Sequence, residues 1–223
     1  MISHTHKFIF VRTPKTASTS LIYLMDNFKY TEQSDFKIDR LSELFEYFNL
    51  NTSTYFEDEE VSLKKHFDKT KHELSIGSAC RLKTSQEYNE VWDSYFKFAF
   101  VRNPWDRMVS SWQMQMPNIS LSKFLKMYPY KDDTDLIWHT LPMWIHIYDN
   151  QKNILVDFIG RFENLQEDFN IVCDKVGVPR QELPHRNTTE HKHYTEYYDE
   201  ETRQIVAEKY AKDIEYFGYE FGK

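Results

Sequence analysis

Glycine is scarce in this chain, with 5 glycines in 223 residues, and the segment from Thr13 to Ser20 contains none. This segment follows a short apolar run and precedes an apolar helix pattern, which is where a nucleotide-binding loop would stand. A nucleoside-triphosphate P-loop needs G-x-x-x-x-G-K-[ST], and a dinucleotide-binding fold needs G-x-G-x-x-G. Because both glycine patterns are missing, the sequence disfavours ATP and NAD as ligands.

Cysteine is scarce as well. The chain has 2 cysteines, Cys80 and Cys173, which lie far apart in the sequence. Their separation fits no spacing of a zinc site. We therefore expect two buried free thiols and no metal site.

Long apolar runs and an excess of positive charge are also absent. No apolar run approaches the roughly 20 residues of a membrane-spanning helix, and the first apolar strand begins by about Lys7, too early to follow a signal peptide. We therefore expect no membrane insertion and a cytoplasmic location. The formal net charge is −7 and the pI about 5.7, so the broad basic face that nucleic-acid binding needs is not expected.

The composition is that of a folded protein with a substantial core. Hydrophobic residues make up 40% of the chain and aromatic residues 17%, which argues against disorder. A chain of this length most simply forms one domain. We predict a single domain over residues 1–223.

The stretch that organises the chain runs from Phe8 to Leu21, F-I-F-V-R-T-P-K-T-A-S-T-S-L. It predicts a strand, a polar loop and the start of a helix. The first backbone N–H groups of such a helix point at the loop, beside the positive end of the helix dipole, and Lys15 adds a positive charge. The hydroxyls nearby belong to Thr16, Ser18, Thr19 and Ser20. The pattern predicts a phosphate or sulfate site; the alternative is a hydroxyl-rich helix start with a solvated lysine.

A second anion-binding pattern runs from Phe96 to Trp112, F-K-F-A-F-V-R-N-P-W-D-R-M-V-S-S-W. A strand from about Phe96 to Val101 is followed by a turn, and Pro104 stands where proline favours a helix start. Arg102, at the end of the strand, offers a planar set of donors that suits a phosphate. Ser110 lies two helical turns further on.

The remaining apolar segments complete an alternation of strands and helices. Residues 154–159 predict a third buried strand, followed by R-F-E-N-L and by a helix that Gly177 ends as its C-cap. A last helix is predicted over residues 199–216, packing on the sheet. This alternation predicts an α/β fold of three layers, α/β/α, with a central parallel sheet and ligands at the carboxyl ends of its strands.

The two anion-binding motifs together resemble those of the sulfotransferases that use 3′-phosphoadenosine 5′-phosphosulfate (PAPS). The run P-K-T-A-S-T-S is typical of the carbohydrate branch related to the uronosyl 2-O-sulfotransferases, and F-V-R-N-P-W-D-R-x-V-S matches the 3′-phosphate signature of PAPS-dependent enzymes. The resemblance spans nearly the whole chain. It implies a P-loop-like sulfotransferase fold and transfer of a sulfuryl group from PAPS to an acceptor hydroxyl, on a carbohydrate or small molecule, without a metal.

The resemblance also implies roles for individual residues. Lys15 would be catalytic, meeting the bridging oxygen of the phosphosulfate, while Arg102 and Ser110 would anchor the 3′-phosphate. Arg161 and Glu163 are expected to be structural. The expected donor-binding residues are Arg12, Lys15, Thr16, Ala17, Ser18, Thr19, Arg102, Ser110, Arg186 and Thr188, with Thr189 and Lys192 as weaker candidates.

The general base is where the sequence departs from the uronosyl enzymes. Their His-Gly-His type motif corresponds here to S-I-G-S-A-C, which keeps Gly77 but has neither histidine. His72 and His66 are the nearest substitutes, and for each a solvated helix histidine is the alternative. His139, Trp144 and His146 could line an acceptor cleft, although ordinary core or surface positions are favoured for them. Segments 30–75 and 116–150 are expected to be helical and to face the acceptor.

Three functions remain open at this point. The first is a carbohydrate sulfotransferase. The second is a non-catalytic binder of adenosine 3′,5′-bisphosphate (PAP) or of a sulfated glycan, which would keep Arg102 and Ser110 but need no base. The third is a nucleotide kinase, which the missing glycines disfavour. The acceptor and the oligomeric state cannot be read from the sequence.

Overall fold

The computed structural model describes residues 1–26, 89–127, 139–149, 151–184 and 192–223. Within these residues the chain divides into two compact units. The first unit contains residues 1–26, 89–103, 143–149 and 151–184, and the second contains residues 104–127, 139–142 and 192–223. The division falls within the second motif, between Asn103 and Pro104.

A four-stranded sheet forms the centre of the first unit, in the order β1-β2-β3-β4. The strands are β1 (Ile2–Ser3), β2 (Phe8–Val11), β3 (Phe96–Val101) and β4 (Phe158–Arg161). The strand β1 is antiparallel to β2, whereas β2, β3 and β4 run parallel, with Phe10 opposite Phe98 and Phe100 opposite Gly160. The predicted α/β fold with a mostly parallel central sheet is therefore confirmed.

The parallel strands are apolar at nearly every position because both faces of the sheet are covered. All four residues of β2 are buried. One face carries Phe8, Phe10, Phe98 and Phe100, which share a core with α1 (Ser18–Asp26) and α6 (Leu165–Val176). The helix α6 ends at Gly177, which has a left-handed φ of 74°, as the sequence predicted.

The other helices of the first unit are short. They are α2 (Asn89–Ser94) and α5 (Trp144–Ile147), with a 3₁₀ turn over Phe162–Asn164 that follows β4 directly. The third strand occupies residues 158–161 rather than 154–159. Ile154, placed in the strand by its apolar type, is 55% exposed and makes an isolated bridge to Tyr148.

The second unit is helical in its described residues. It contains α3 (Pro104–Gln115), α4 (Leu121–Lys126), a 3₁₀ turn over Tyr194–Tyr197, α7 (Glu200–Lys209) and α8 (Ala211–Phe217). The helix α7 begins with a capping box between Asp199 and Thr202. The predicted single C-terminal helix is thus two helices, which break at Tyr210.

Aromatic side chains tie the helices of the second unit together. The hydroxyl of Tyr198 donates to the carbonyl of Trp105 at 2.8 Å, and the Trp105 indole N–H donates to the carbonyl of Arg203 at 3.0 Å. The neighbours of α7 in this unit are α3, α4 and α8. The expectation that the C-terminal helix packs on the sheet stays a prediction.

The described helices include none that is long and apolar enough to cross a membrane. Cys173 is a buried free thiol, as predicted, and its burial raises the pKa of the thiol. Cys80 lies outside the described residues. No cluster of potential metal ligands is found among the described residues.

Candidate active site

The loop between β2 and α1 has an unusual backbone. Lys15 and Ala17 have positive φ angles of 65° and 63°, and Thr16 between them does not. Non-glycine residues adopt this left-handed conformation rarely, because it brings Cβ close to the backbone. Alternation of right-handed and left-handed residues turns successive N–H groups toward one point and forms an anion-binding concavity. The loop therefore has the backbone form of a phosphate site without its glycines.

Hydroxyl groups hold this loop in place. Thr13, which is buried, donates its hydroxyl proton to the carbonyl of Phe100 on β3. The hydroxyl of Thr16 lies 3.0 Å from the carbonyl of Thr13 and 2.8 Å from the Thr13 hydroxyl oxygen, and Ser18 also donates to the Thr13 carbonyl at 3.0 Å. Since a hydroxyl has one proton to donate, those of Thr16 and Ser18 are used within the loop.

Backbone N–H groups are therefore the donors that this loop offers to a ligand. The carbonyl of Ala17 accepts from the N–H of Ser20 and of Leu21, so Ala17 is the N-cap residue directly before α1. Within the described part of the chain, the N–H groups of Thr16, Ala17, Ser18 and Thr19 have no protein acceptor. Thr16 is fully buried, so the residues that remain open to a ligand are Ala17, Ser18 and Thr19. The first N–H groups of a helix are unpaired for the same geometric reason. Thr19 is exposed.

Lys15 is partly buried beside this concavity. Removal of water from its amine and the positive charge of Arg102 together lower the pKa of Lys15 from 10.5 to about 8. A lysine with this pKa is still mostly protonated at neutral pH. Two cations held close together, with part of their water removed, are stabilised by an anion between them.

Arg102 lies at the end of β3, next to the loop that follows β2. Its Nη1 donates to the carbonyl of Lys15 at 3.2 Å, and its guanidinium carbon lies 3.9 Å from the ring centre of Phe162. Only 7% of the residue is exposed. Because β2 and β3 are parallel neighbours, their carboxyl ends bring the two predicted motifs together at one edge of the sheet.

The turn after β3 is fixed by side chains from other parts of the first unit. The N–H of Asn103 donates to Oε1 of Glu163 at 2.6 Å, and the N–H of Arg102 donates to the sulfur of Met143 at 3.4 Å. The N–H of Arg161 donates to Asp168 at 2.6 Å. The side-chain bond of Glu163 agrees with the structural role expected for it, whereas the bond of Arg161 is made by its backbone and leaves the role of its side chain a prediction.

Arg12 is a second arginine at the carboxyl end of the parallel strands, and it is partly buried. Burial lowers the pKa of its guanidinium. Among the described residues it has no hydrogen-bonding or ion-pairing partner. It directly precedes the loop that holds Lys15. Arg12 is therefore a cation that a bound anion could neutralise.

Ser110 lies in α3 of the second unit and is partly exposed. His146 and Trp144, considered for an acceptor cleft, are 0% and 4% exposed, so the core reading is confirmed for both. The carbonyl of His139 accepts from the hydroxyl of Ser111 at 3.2 Å. Lys192 pairs with Glu196 at 3.6 Å on the surface.

Several predicted residues lie outside the described residues. These are His66, His72, Gly77, Arg186, Thr188 and Thr189. Their predicted roles, including that of a general base, stay predictions.

A comparison with family models agrees with this geometry. A model described as the sulfotransferase family matches residues 1–220. This chain belongs to the sulfotransferase family. The family generally uses PAPS as its sulfuryl donor, and the chain is accordingly a transferase that moves a sulfuryl group.

Two individual proteins resemble this sulfotransferase. An uncharacterized protein of Archaeoglobus fulgidus is 32% identical over 97 residues, which cover 41% of this chain and 76% of the relative. A crystal structure of a sulfotransferase from Alicyclobacillus acidocaldarius is 15% identical and covers 94% of this chain and 92% of that chain, with a TM-score of 0.47. Neither similarity identifies the acceptor of this sulfotransferase.

Sequence reasoning missed three residues that shape the site of this sulfotransferase. Thr13 ties the loop to β3, Phe162 covers the face of Arg102, and Met143 accepts the N–H of Arg102. Phe162 and Met143 are far from Arg102 in sequence, so no local pattern could have paired them. For Thr13 the only available signal was its position two residues after β2, at the start of the polar loop.

Proposed function

We propose that this sulfotransferase transfers the sulfuryl group of PAPS to an acceptor hydroxyl, and that the acceptor is a carbohydrate. The observation that carries the proposal is the set of unpaired N–H groups at Ala17 to Thr19, with Lys15 and Arg102 beside it. The motif resemblance to the uronosyl 2-O-sulfotransferases supports the donor and the carbohydrate class. No metal has a part in this proposal.

The residues of the loop suit the 5′-phosphosulfate of the donor. The N–H groups of Ala17, Ser18 and Thr19 would hold the 5′-phosphate, because they lie unpaired at a helix start beside a left-handed residue. Arg12 would neutralise part of the same charge. Arg102 would bind the 3′-phosphate through its planar guanidinium, and Ser110, Arg186 and Thr188 are proposed to complete this half of the site.

Lys15 would assist the chemical step. The acceptor oxygen attacks sulfur, the bond from sulfur to the bridging oxygen breaks, and its electron pair stays on the 5′-phosphate of the departing PAP. The ammonium of Lys15 stabilises the charge that develops on this bridging oxygen. The acceptor hydroxyl loses its proton to a general base, for which His72 and His66 are proposed candidates.

The proposal is tested first by calorimetry with PAP, with 5′-AMP and ATP as controls. We expect PAP to bind at least about tenfold more tightly than 5′-AMP, since its 3′-phosphate adds charged hydrogen bonds. Equal affinities for PAP and 5′-AMP would contradict the donor assignment.

The chemical role of Lys15 is tested with labelled PAPS and a panel of glycan acceptors. Lys15→Ala should lose transfer far more than it loses donor binding, because the charge that Lys15 meets develops in the transition state. Equal losses would make Lys15 a binding residue only. Tight PAP binding without transfer to any acceptor or to water would favour the non-catalytic binder.

A further inference from the structure

One peptide group connects Arg102 with the N–H concavity. The carbonyl that accepts from Arg102 belongs to Lys15, and the N–H of the same peptide group belongs to Thr16. The C=O and N–H of a trans peptide point in opposite directions. Whatever holds the Lys15 carbonyl therefore also sets the direction of the Thr16 N–H.

This peptide group needs holding because its neighbours are strained. Lys15, which supplies its carbonyl, and Ala17, one residue beyond Thr16, have φ angles of 65° and 63°, which L-residues adopt only where surrounding contacts enforce them. The hydroxyls of Thr16 and Ser18 fix the loop through the carbonyl of Thr13. The bond from Arg102 holds the carbonyl of Lys15 itself.

Arg102 is itself firmly placed. The ring of Phe162 lies against the guanidinium at 3.9 Å, and the backbone at Arg102 and Asn103 is held by Met143 and Glu163. With 7% of the residue exposed, the guanidinium has little freedom to move away. A lysine could supply the charge but neither the flat face for Phe162 nor the planar N–H geometry.

We infer that Arg102 is a positioning residue for the 5′-phosphate loop: by holding the carbonyl of Lys15, it keeps the left-handed backbone at Lys15 and so the direction in which the loop presents the Lys15 side chain and the N–H groups of Ala17 to Thr19. Phe162 supports Arg102 in this role. The inference rests on the proposed function and extends it, since the residue assigned to the 3′-phosphate also prepares the site for the 5′-phosphate.

Three nucleotides separate the two roles of Arg102. PAP carries both phosphates, 3′-AMP carries only the 3′-phosphate, and 5′-AMP carries only the 5′-phosphate. The dissociation constant of each is measured by calorimetry for the wild type and for Arg102→Ala. We expect Arg102→Ala to weaken 5′-AMP binding by about tenfold, as well as that of the other two, because the loop loses a charged hydrogen bond.

Conservative variants exclude a general loss of structure. Arg102→Lys should recover part of the 3′-AMP affinity, because the charge remains, but little of the 5′-AMP affinity. Phe162→Leu should weaken 5′-AMP binding severalfold with Arg102 still present. Arg180→Lys is the matched control, because Arg180 is an exposed arginine of the first unit that pairs with Asp174 at 2.6 Å; it should leave all three affinities unchanged. Thermal melting of each variant verifies folding.

The outcomes are distinct. If 5′-AMP binds wild type and Arg102→Ala equally while PAP and 3′-AMP bind the variant more weakly, Arg102 is only an anchor and the inference is wrong. Equal recovery of 5′-AMP and 3′-AMP binding in Arg102→Lys would also overturn it. If the wild type binds PAP and 3′-AMP but not 5′-AMP, the loop holds no 5′-phosphate on its own and the inference is wrong. If the wild type shows no preference for PAP over 5′-AMP, the proposed function itself fails.

Discussion

At the scale of single residues, the loop after β2 has strained non-glycine residues at positions whose backbone conformation favours glycine. Its two left-handed positions are a lysine and an alanine, where glycine would cost nothing sterically. Position 15 cannot be glycine if the lysine ammonium is to contact the ligand. The side chain of Ala17 has no proposed contact with the ligand, so glycine can replace it to test the strain.

Ala17→Gly should stabilise the protein by about 1 kcal/mol, because glycine adopts positive φ without a Cβ clash. Ala17→Val should destabilise it by roughly 2 kcal/mol, since a β-branched residue is the least suited to this conformation. The measurement is urea unfolding at equilibrium. The matched control is Ala207→Gly in the interior of α7, which should cost about 1 kcal/mol; stabilisation by both glycines would contradict the argument.

Lys15 predicts a pH dependence of ligand binding. Its pKa, lowered to about 8 by burial and by Arg102, means that the unliganded site loses a positive charge as the pH rises through about 8. PAP affinity should therefore begin to fall above this pH, and calorimetry at pH 7 to 10 measures it. Lys15→Met, which keeps the length and loses the charge, should bind PAP more weakly at pH 7 and show no such fall.

The same pKa has a consequence for stability with the opposite sign. The unfolded chain binds a proton at Lys15 up to about pH 10.5, whereas the folded chain releases it near pH 8. Between these values the unfolded state holds more protons, so this group's contribution to the unfolding free energy rises with pH. Relative to Lys15→Met, the wild type should gain stability from pH 8 to 10.5; a constant difference would show that the pKa is not lowered.

At the scale of elements, Gly160 permits β3 and β4 to pair. It lies opposite Phe100 in the ladder, and a Cβ added to it would come within 2.4 Å of the Phe100 ring. The ring cannot simply move aside, because it belongs to the core under the sheet. Close approach, rather than a special φ angle, requires glycine here.

Gly160→Ala should therefore destabilise the protein by about 2 to 3 kcal/mol, as overpacked cores do. In Gly160→Ala combined with Phe100→Leu, the smaller side chain should remove most of this clash, so the double variant should be more stable than the sum of the two single changes predicts. Urea unfolding of the four proteins gives the coupling energy. Strict additivity would contradict the predicted clash.

The sequence predicted the elements whose signals are local. The spans of β2 and β3, the start of α3 at Pro104 and the end of α6 at Gly177 follow from apolar runs and from proline and glycine preferences. The sequence misplaced β4, which was predicted over residues 154–159 and occupies Phe158–Arg161. An apolar run alone does not show which of its residues pair with β3, and the paired segment extends beyond the run into Gly160 and Arg161. The sequence also missed β1, which has only two residues.

The site was predicted only as far as its residues are neighbours in sequence. Lys15 and Arg102 were each identified from a motif, and parallel strands predicted that their loops would meet. The use of the Thr16 and Ser18 hydroxyls within the loop, and the placement of Phe162 against Arg102, depend on tertiary contacts that no spacing encodes. For the same reason the roles of individual hydroxyl groups in binding PAPS remain predictions.

At the scale of the whole molecule, the described residues form two units, whereas the sequence predicted one domain. The family match over residues 1–220 runs through both units. The described loop at Lys15 and the guanidinium of Arg102 both belong to the first. A ligand bound at these residues stabilises the first unit directly. Whether it also raises the unfolding temperature of the second unit shows whether the two units unfold together.

Saturating PAP should raise the Tm of a single calorimetric transition. At one hundred times its dissociation constant, a ligand that binds only the folded state adds about 2.7 kcal/mol. If the chain is one cooperative domain, the whole transition moves and the calorimetric and van't Hoff enthalpies agree. Two transitions, of which PAP moves only one, would contradict the single-domain prediction.

Because the loop offers backbone N–H groups to the ligand, many substitutions in the loop should leave its hydrogen-bond donors unchanged. A donor that belongs to the main chain is present whichever side chain the position encodes, and proline is the one standard residue that removes it. Proline cannot adopt the φ of 63° at Ala17. Genetic drift at exposed Thr19 would therefore leave its N–H donor in place, whereas changes at Thr13 or Arg102, which hold the loop's shape, would be selected against.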